Sequence, residues 1–490
     1  MTAHRFSRRG VLAAGLSTGL IAMPGLAQVA RGKSLSQALA EAIVALRSTP
    51  LRPDIAERAA WTLLDGMGAM LHGAAQPSVR RSVAAFADRR GTPAASIVGH
   101  RVQAPVELAA AANAYLLHAE EVDDSDLPAQ LRASAVILPT ALAMAEALDL
   151  SGAQFLANLA LGLTLQRRLA APLGPTQPLG WMASGVWGPP AAAAMAAAMA
   201  GLDVRSIASA LALGGSGSGG SFQYFYDQTE EKRLIVARGA RTAVESARLA
   251  ALGETGAARI LEGQAGLYRL IGGAAASIPT AAQLTAGLAD RDGPLFLQPK
   301  YFAASSSVIP TLDGLAADLP AGFDAEQIVD FTVRGNAGWA RVLADKVNGF
   351  TPPQSRIGAS TNFSFMVALY ALRRSALPDD LTPAALADAR ILALAKRGRF
   401  VVADVPDIVT EFTLRDGRIV RTVARTPPPG QPVPFEQPRR IAKFDALTAR
   451  AVNQATRERV RAACLSVGQA SSMRSWAAIM RQTVRLEASS

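Results

Sequence analysis

Helical periodicity over the first 285 residues most constrains the fold of this chain. Apolar residues recur three and four positions apart in segments 34–48, 54–74 and 105–121, each of which starts with Ser, Asp or Pro. Half of all residues are hydrophobic but only 6% are aromatic, and alanine is abundant. This balance favours closely packed helices over a sheet sandwich.

The pattern changes near residue 286. Segment 326–336 (EQIVDFTVRGN) has the composition of a strand, and 399–425 predicts strands joined by an Asp416-Gly417 hairpin. Helices are predicted at about 360–374 and 382–390, and helical periodicity returns from Phe444. We therefore predict a mainly α fold, in which a large all-helical domain (31–285 plus 436–490) receives a smaller inserted α/β lid domain (286–435).

The first 30 residues have the features of an export signal. Arg8 and Arg9 precede an apolar stretch rich in Gly and Ala, and small residues follow up to Ala27 and Ala30. This order predicts a twin-arginine signal and a periplasmic protein, with a Sec-type signal or an irregular N-terminus as the alternatives. No apolar run approaches the length of a bilayer span, so no membrane association is expected after signal removal.

Composition also excludes several classes of function. A single cysteine, Cys464, rules out an intramolecular disulfide. The four histidines are too few and too scattered in the sequence for a typical zinc site. The net charge of +11 is spread along the chain rather than gathered in a basic stripe, which disfavours nucleic-acid binding and suits a basic site for small acids. The glycine-rich segment 214–220 (GGSGSGG) follows a helical pattern, so we expect a flexible loop near a site rather than a dinucleotide fold.

Residues 118–126, hereafter the acidic segment, carry five carboxylates immediately before an apolar helix. Their spacing lacks the glycine and the final glutamate of an EF-hand. The pattern leaves a single Mg²⁺ on two of these aspartates open without requiring it, so neither a metal nor another cofactor is predicted. Capping of the following helix and proton transfer are the other two explanations.

Several long motifs resemble the MmgE/PrpD family over nearly the whole chain after the signal. They are NAYLLHAEEVDDSD at 113–126, ILPTALAMAEALDLSGAQFLANLALG at 137–162, KRLIVARGARTAVESARLAALGETG at 232–256 and LQPKYFAASSSVIPTLDGL at 297–315. The resemblance implies a homodimer with a helical domain and an α/β lid. It also implies metal-independent chemistry on small di- and tricarboxylates, as in 2-methylcitrate dehydratase, cis-aconitate decarboxylase and related epimerases. The shared step is movement of a proton beside a carboxylate.

The resemblance also places functional residues. Glu121 stands at the first aspartate of the family motif, and if burial raises its pKa it would suit the role of general base. Arg132 is a candidate clamp for a substrate carboxylate. The predicted catalytic set is Glu121, Asp123 and Lys232, and the predicted substrate-binding set is Asp124, Ser125, Arg132, Ser184 and Lys300.

The family's catalytic histidines are missing from this chain. Through the resemblance they fall at Leu131 or Arg132, at Met182, at Ile309 and at Ile235. His118 is retained, but the resemblance does not make it a catalytic residue. Three hypotheses therefore remain: a lyase that uses carboxylate and lysine groups, an isomerase or epimerase on the same substrates, and a non-catalytic carboxylate-binding protein.

Overall fold

The periodic segments form helices in a computed structural model that describes residues 32–87, 91–174, 180–425 and 430–481. The predicted export signal at 1–30 lies outside these residues. Within the described ranges, no helix combines the length and the apolar character needed to cross a membrane.

The first half of the described chain is helical apart from one short pair of strands. Strands β1 (Ala95–Ser96) and β2 (Gln103–Ala104) pair in antiparallel fashion. The helices are α1 (Leu35–Ala45), α2 (Pro53–Ala75), α3 (Pro77–Val83), α4 (Val106–Leu117), α5 (Ser134–Leu148), α6 (Gly152–Ala170), α7 (Ala183–Met199), α8 (Val204–Ser216), α9 (Gln223–Asp227), α10 (Lys232–Ala251), α11 (Leu267–Gly272) and α12 (Ala281–Thr285). The prediction of a mainly α protein is confirmed.

Helix α10 packs along α4 and α7. Small side chains such as Ala110 and Ala114 on α4 and Ala240 on α10 are fully buried, which lets the helix axes approach closely. His118 caps the C-terminus of α4 and Lys232 begins α10, so this packing brings together the helix ends that carry charge.

The second half combines helices with a four-stranded sheet. Its helices are α13 (Ile309–Asp318), α14 (Ala337–Asn348), α15 (Arg356–Thr361), α16 (Phe363–Arg373), α17 (Pro383–Leu386), α18 (Ala389–Ala395), α19 (Gln437–Thr448), α20 (Gln454–Leu465) and α21 (Met473–Trp476). Its strands are β3 (Ile328–Gly335), β4 (Gly398–Val402), β5 (Val409–Leu414) and β6 (Ile419–Val423).

The sheet has the strand order β4-β3-β5-β6. Strands β3 and β4 are parallel, and the helices between them make the crossover, whereas β5 and β6 form an antiparallel hairpin. Gly417 has a φ of 81° in that hairpin, and Asp416 accepts a hydrogen bond from the Arg418 N–H at 3.0 Å. The Asp-Gly pair thus forms the turn that its sequence predicts.

Both ends of the described chain contribute to the helical core. Helices α19 and α20 pack against α2, and Lys443 on α19 donates to Asp65 on α2 at 2.6 Å. Lys443 also donates to the Val122 carbonyl at 2.7 Å, which ties the C-terminal helices to the acidic segment. Because Ser34–Ser490 forms one compact unit, the separate lid at 286–435 stays a prediction.

Candidate active site

A pocket lies beside the acidic segment and the start of α7, with a cavity volume of about 70 Å³. That volume is smaller than the sites that hold drug-sized ligands, so the pocket suits a small ligand. Three of the predicted site residues line the pocket, namely Glu121, Arg132 and Ser184. His118, Met182 and Tyr224 line it as well.

Glu121 is the centre of a buried ion cluster, defined here as Glu121, Lys232, Lys300 and Arg132. Lys232 pairs with its Oε1 atom, and Lys300 Nζ lies 2.6 Å from its Oε2 atom. Arg132 Nε lies 3.9 Å from the same Oε2. The Lys232 and Lys300 side chains are 0% and 1% exposed, so the structure gathers charges that lie 111 and 179 positions from Glu121 in sequence.

The backbone at Glu121 is left-handed, with a φ of 56°. Non-glycine residues rarely adopt this conformation, and where they do the surrounding contacts hold them in place. Lys300 supplies such a contact, since its Nζ also lies 3.3 Å from the Glu121 carbonyl oxygen. The strained turn therefore directs both the carboxylate and the carbonyl of Glu121 toward buried lysines.

The ion cluster controls the protonation of its members. Burial favours the neutral acid, but Lys232, Lys300 and Arg132 outweigh burial and hold the pKa of Glu121 well below its usual range. Burial, together with Arg132, lowers the pKa of Lys300 to about 8. At neutral pH the carboxylate is therefore ionised and Lys300 is mostly protonated. The rise in pKa that would suit Glu121 to act as a base is not found.

Asp123 lies directly behind the pocket and pairs with His118. Its Oδ2 atom is 2.8 Å from His118 Nδ1, and both side chains are buried. Burial raises the pKa of Asp123, but His118 more than offsets this and the pKa lies at about 2. Asp123 was predicted as a site residue and His118 was not. The sequence pattern that could have indicated this pair is a histidine at the end of a predicted helix, His118, followed five residues later by Asp123.

Three of the predicted substrate-binding residues have structural partners. Asp124 Oδ1 accepts from the Ser134 N–H at 3.0 Å, at the first residue of α5, so Asp124 caps that helix. Ser125 exchanges backbone hydrogen bonds with Gln298 at 2.9 and 2.8 Å, which holds the acidic segment against the segment that carries Lys300. Ser184 Oγ accepts from the Arg132 N–H at 2.7 Å. Of these three, Ser184 lines the pocket.

Asp124→Asn tests the capping role through the pH dependence of stability. Burial raises the pKa of Asp124 to about 7, and Asp65 and Asp123 add to this, while the Ser134 N–H opposes it. Between about pH 4 and 7 the folded state therefore holds a proton that the unfolded state has lost, so wild-type stability should fall as the pH rises. Asparagine can still accept from Ser134 but does not titrate. We expect the variant to lack this slope and to exceed wild-type stability at pH 8 by on the order of a few kcal/mol.

Urea unfolding from pH 4 to 8 measures that slope. Asp203→Asn is the matched control, because Asp203 caps α8 through the Ser206 N–H at 2.8 Å but is exposed, and its pKa is lowered by that hydrogen bond. It should leave the slope between pH 4 and 7 unchanged. Equal slopes for wild type and Asp124→Asn would contradict the buried, protonated cap.

The glycine-rich segment lies beside the pocket, as predicted, but it is held by backbone hydrogen bonds. Gly219 N–H donates to the Gly185 carbonyl and Met182 N–H to the Gly220 carbonyl, both at 3.0 Å. Gly220 has a φ of 125°, and a Cβ atom at Gly185 would lie 2.2 Å from the Gly219 oxygen. Glycine is thus required at both positions for the segment to pack against the start of α7.

Apolar side chains occupy three of the positions at which the resemblance places histidines, and either Leu131 or Arg132 occupies the fourth. Met182 lines the pocket, and Leu131 and Ile309 are 0% and 2% exposed. Ile235 packs against Gly220, since a Cβ atom added to that glycine would lie 2.5 Å from Ile235 Cγ2. In the described ranges, no group of three or more His, Cys, Asp or Glu side chains is placed to hold a metal ion.

Comparison with known proteins identifies the family. The MmgE/PrpD N-terminal domain model matches residues 37–277, and the MmgE/PrpD C-terminal domain model matches residues 308–467. The chain therefore belongs to the MmgE/PrpD family. It is also 28% identical over 229 residues to the cis-aconitate decarboxylase-like protein oryM of Aspergillus oryzae (strain ATCC 42149 / RIB 40). That alignment covers 45% of this chain and 47% of the relative, so the match spans about half of each protein.

Proposed function

We propose that this protein is a lyase-type enzyme that removes a proton beside a carboxylate of a small di- or tricarboxylate. The observation that carries the proposal is the buried ion cluster at the pocket wall. Membership of a family that includes a cis-aconitate decarboxylase-like relative supports the same reaction class.

The charges in and behind the pocket favour an anionic ligand. Arg132, Lys232 and Lys300 are three cations, and Glu121 and Asp123 are two carboxylates, which leaves one positive charge in excess. Buried charges act across a low effective dielectric, so this excess attracts a carboxylate more strongly than a surface cation would. Arg132 is the cation that lines the pocket, and its guanidinium can bind a carboxylate through two parallel hydrogen bonds.

The same cations can stabilise the reacting state. When a base removes a proton beside a carboxylate, the electron pair of the C–H bond spreads onto the carboxylate oxygens, where negative charge accumulates. Fixed cations beside those oxygens lower the energy of that state without reorganising. Departure of a hydroxide with its electron pair then completes a dehydration. In a decarboxylation, loss of CO₂ gives the same kind of carbanion, which takes up a proton.

Deuterium exchange tests the proposal. The full chain is incubated in D₂O with citrate, cis-aconitate, malate, tartrate and succinate in turn, and ¹H NMR follows each acid. We expect deuterium to enter a position beside a carboxylate in at least one acid, together with a new vinyl signal or the loss of one. Failure of every acid to exchange, with line broadening that proves binding, would overturn the proposed activity and leave a carboxylate-binding protein.

The binding-protein alternative has one specific observation in its favour. Met182, which cannot transfer a proton, lines the pocket at a position where the resemblance places a catalytic histidine. The isomerase or epimerase alternative is distinguished by the same experiment, because exchange with inversion and without a vinyl signal would identify it.

We further propose export by the twin-arginine pathway to the periplasm and assembly as a homodimer. The first rests on Arg8 and Arg9 ahead of an apolar stretch, and the second on the resemblance to the family. Cell fractionation and sedimentation equilibrium test the two separately.

A further inference from the structure

A buried histidine–aspartate pair faces the pocket and has no part in the ion cluster. The His118 side chain is 1% exposed and that of Asp123 is 0% exposed, and 2.8 Å separates Nδ1 from Oδ2. His118 lines the pocket, and among the described residues its Nε2 atom has no hydrogen-bond partner although it is buried. An unpaired buried polar atom costs free energy, so its persistence beside a ligand pocket indicates a functional use.

The hydrogen bond to Asp123 determines which nitrogen carries the proton. An ionised carboxylate can only accept a hydrogen bond, so Nδ1 of His118 donates and Nε2 keeps its lone pair. The charged groups that face the ring are Asp123 and Glu121 on the acidic segment and Lys232 on α10. Burial lowers the pKa of His118, and although Asp123 opposes this, the net direction is downward, so the ring is neutral at neutral pH.

Other candidate bases in the pocket are poorly suited to take a proton. Both carboxylate oxygens of Glu121 are engaged by lysines, which hold its pKa low and make it a weak base. Burial raises the pKa of Tyr224 above its usual range, so this phenol stays protonated. Arg132 has no acceptor atom, and Lys232 and Lys300 contact Glu121 and do not line the pocket.

We propose that His118 is the catalytic base of the reaction, taking the substrate proton on Nε2, and that Asp123 is its positioning residue. This inference rests on the proposed function. The proton beside the substrate carboxylate moves to Nε2, the C–H electron pair remains with the substrate, and the imidazolium that forms is stabilised by Asp123. The imidazolium then returns the proton to the leaving hydroxide or to carbon. A retained histidine outside the expected catalytic set thereby replaces those that the chain lacks.

His118→Gln provides the first test, with His72→Gln as the matched control. His72 is also buried and hydrogen bonded, to the Leu447 carbonyl at 3.1 Å and to Gln76 at 3.2 Å, but it does not line the pocket. The probe is the acid that exchanges deuterium fastest with wild type. We expect His118→Gln to slow that exchange by about 10²–10⁴-fold while the dissociation constant changes less than tenfold. His72→Gln should exchange at the wild-type rate.

Asp123→Asn tests the positioning role through a pH profile. Asp123 raises the pKa of His118, so its neutralisation should move the acid limb of kcat/KM to lower pH. The exchange rate at neutral pH should also fall, because an amide can hold the wrong tautomer. A purely structural role would lower the amount of folded protein without moving the limb, and that result would overturn the positioning role.

The tautomer can be measured without turnover. Because the chain has four histidines, ¹⁵N-labelled imidazole spectra of wild type and His118→Gln assign the His118 signals. We expect an unprotonated Nε2 at pH 7 that shifts when the acid binds. Normal exchange by His118→Gln, or a protonated Nε2 in the wild type, would overturn the His118 assignment alone. Absence of exchange by the wild type would instead overturn the proposed function on which it rests.

Discussion

Glu121→Gln should lower the free energy of unfolding by about 3–5 kcal/mol, because it leaves two buried lysine charges without their anion. Lys232 and Lys300 are 0% and 1% exposed, so water cannot replace the lost carboxylate unless the structure opens. Glutamine is close in size to glutamate, and residue 121 keeps its left-handed backbone with a φ of 56°. The substitution therefore changes the charge without changing the packing volume or the backbone strain. Urea unfolding at pH 7, followed by circular dichroism, measures the loss.

Glu120→Gln is the matched control for this substitution. Glu120 is also buried, and it pairs with Arg356 at 2.6 Å, but that arginine is 31% exposed and can be solvated when the pair is lost. Arg233, its other partner at 3.8 Å, also donates to the Ala119 carbonyl. We therefore expect Glu120→Gln to lower the free energy of unfolding by less than Glu121→Gln does.

A second substitution separates charge from packing. Lys300→Met in the Glu121→Gln background removes one unpaired cation, so the double variant should be more stable than Glu121→Gln alone. A wild-type unfolding midpoint for Glu121→Gln, or a double variant that is less stable still, would show that the cluster is not held by its charges.

Local features of this fold could be predicted from sequence because their causes are local. The three-and-four spacing of alanines and leucines identified the long helices, and Asp416-Gly417 identified the β5–β6 turn. The acidic segment was also found, since five carboxylates before an apolar helix are visible in the sequence. The parallel pairing of β3 with β4 could not be predicted, because it depends on a crossover of more than 60 residues rather than on local spacing.

The charges of the site could be predicted only in part. The resemblance predicted Glu121, Lys232 and Lys300 as site residues. It did not predict that both lysines contact the same carboxylate. Burial alone predicts a raised pKa for Glu121, whereas the two lysines reverse the direction. Distances between segments that are far apart in sequence decide the sign of such a shift. The packing of α4 against α10 brings Lys232 to Glu121, and the backbone hydrogen bonds between Ser125 and Gln298 bring Lys300.

The different roles and pKa values of the neighbouring acidic residues were the feature of the site that the sequence predicted least well. Asp123 and Asp124 are adjacent and chemically identical, yet Asp123 pairs with His118 and has a pKa of about 2, while Asp124 caps α5 and has a pKa of about 7. Burial raises the pKa of both carboxyls, but at Asp123 the neighbouring His118 and Lys300 more than offset it. The opposed environments of two neighbouring carboxyls are typical of sites at which proton positions matter.

Arg132→Gln should weaken carboxylate binding by roughly a hundredfold, which corresponds to about 3 kcal/mol for a buried charge pair. Arg132 lines the pocket with its side chain 19% exposed. Its Nε atom has no hydrogen-bond partner among the described residues, and the nearest carboxylate, Glu121, is already engaged by two lysines. The guanidinium is therefore available to a ligand, and glutamine removes both its charge and its paired donors.

Arg132→Lys and Arg291→Gln complete this test. Lysine restores the charge but not the paired N–H donors, so it should recover only part of the affinity. Arg291 is 4% exposed and donates to the Thr49 and Pro50 carbonyls at 2.8 and 2.7 Å, away from the pocket, so its substitution should leave affinity unchanged. Isothermal titration calorimetry with citrate and succinate at pH 7 and low salt gives the dissociation constants. Wild-type affinity for Arg132→Gln would exclude Arg132 as the clamp and leave the buried lysines as the source of the attraction.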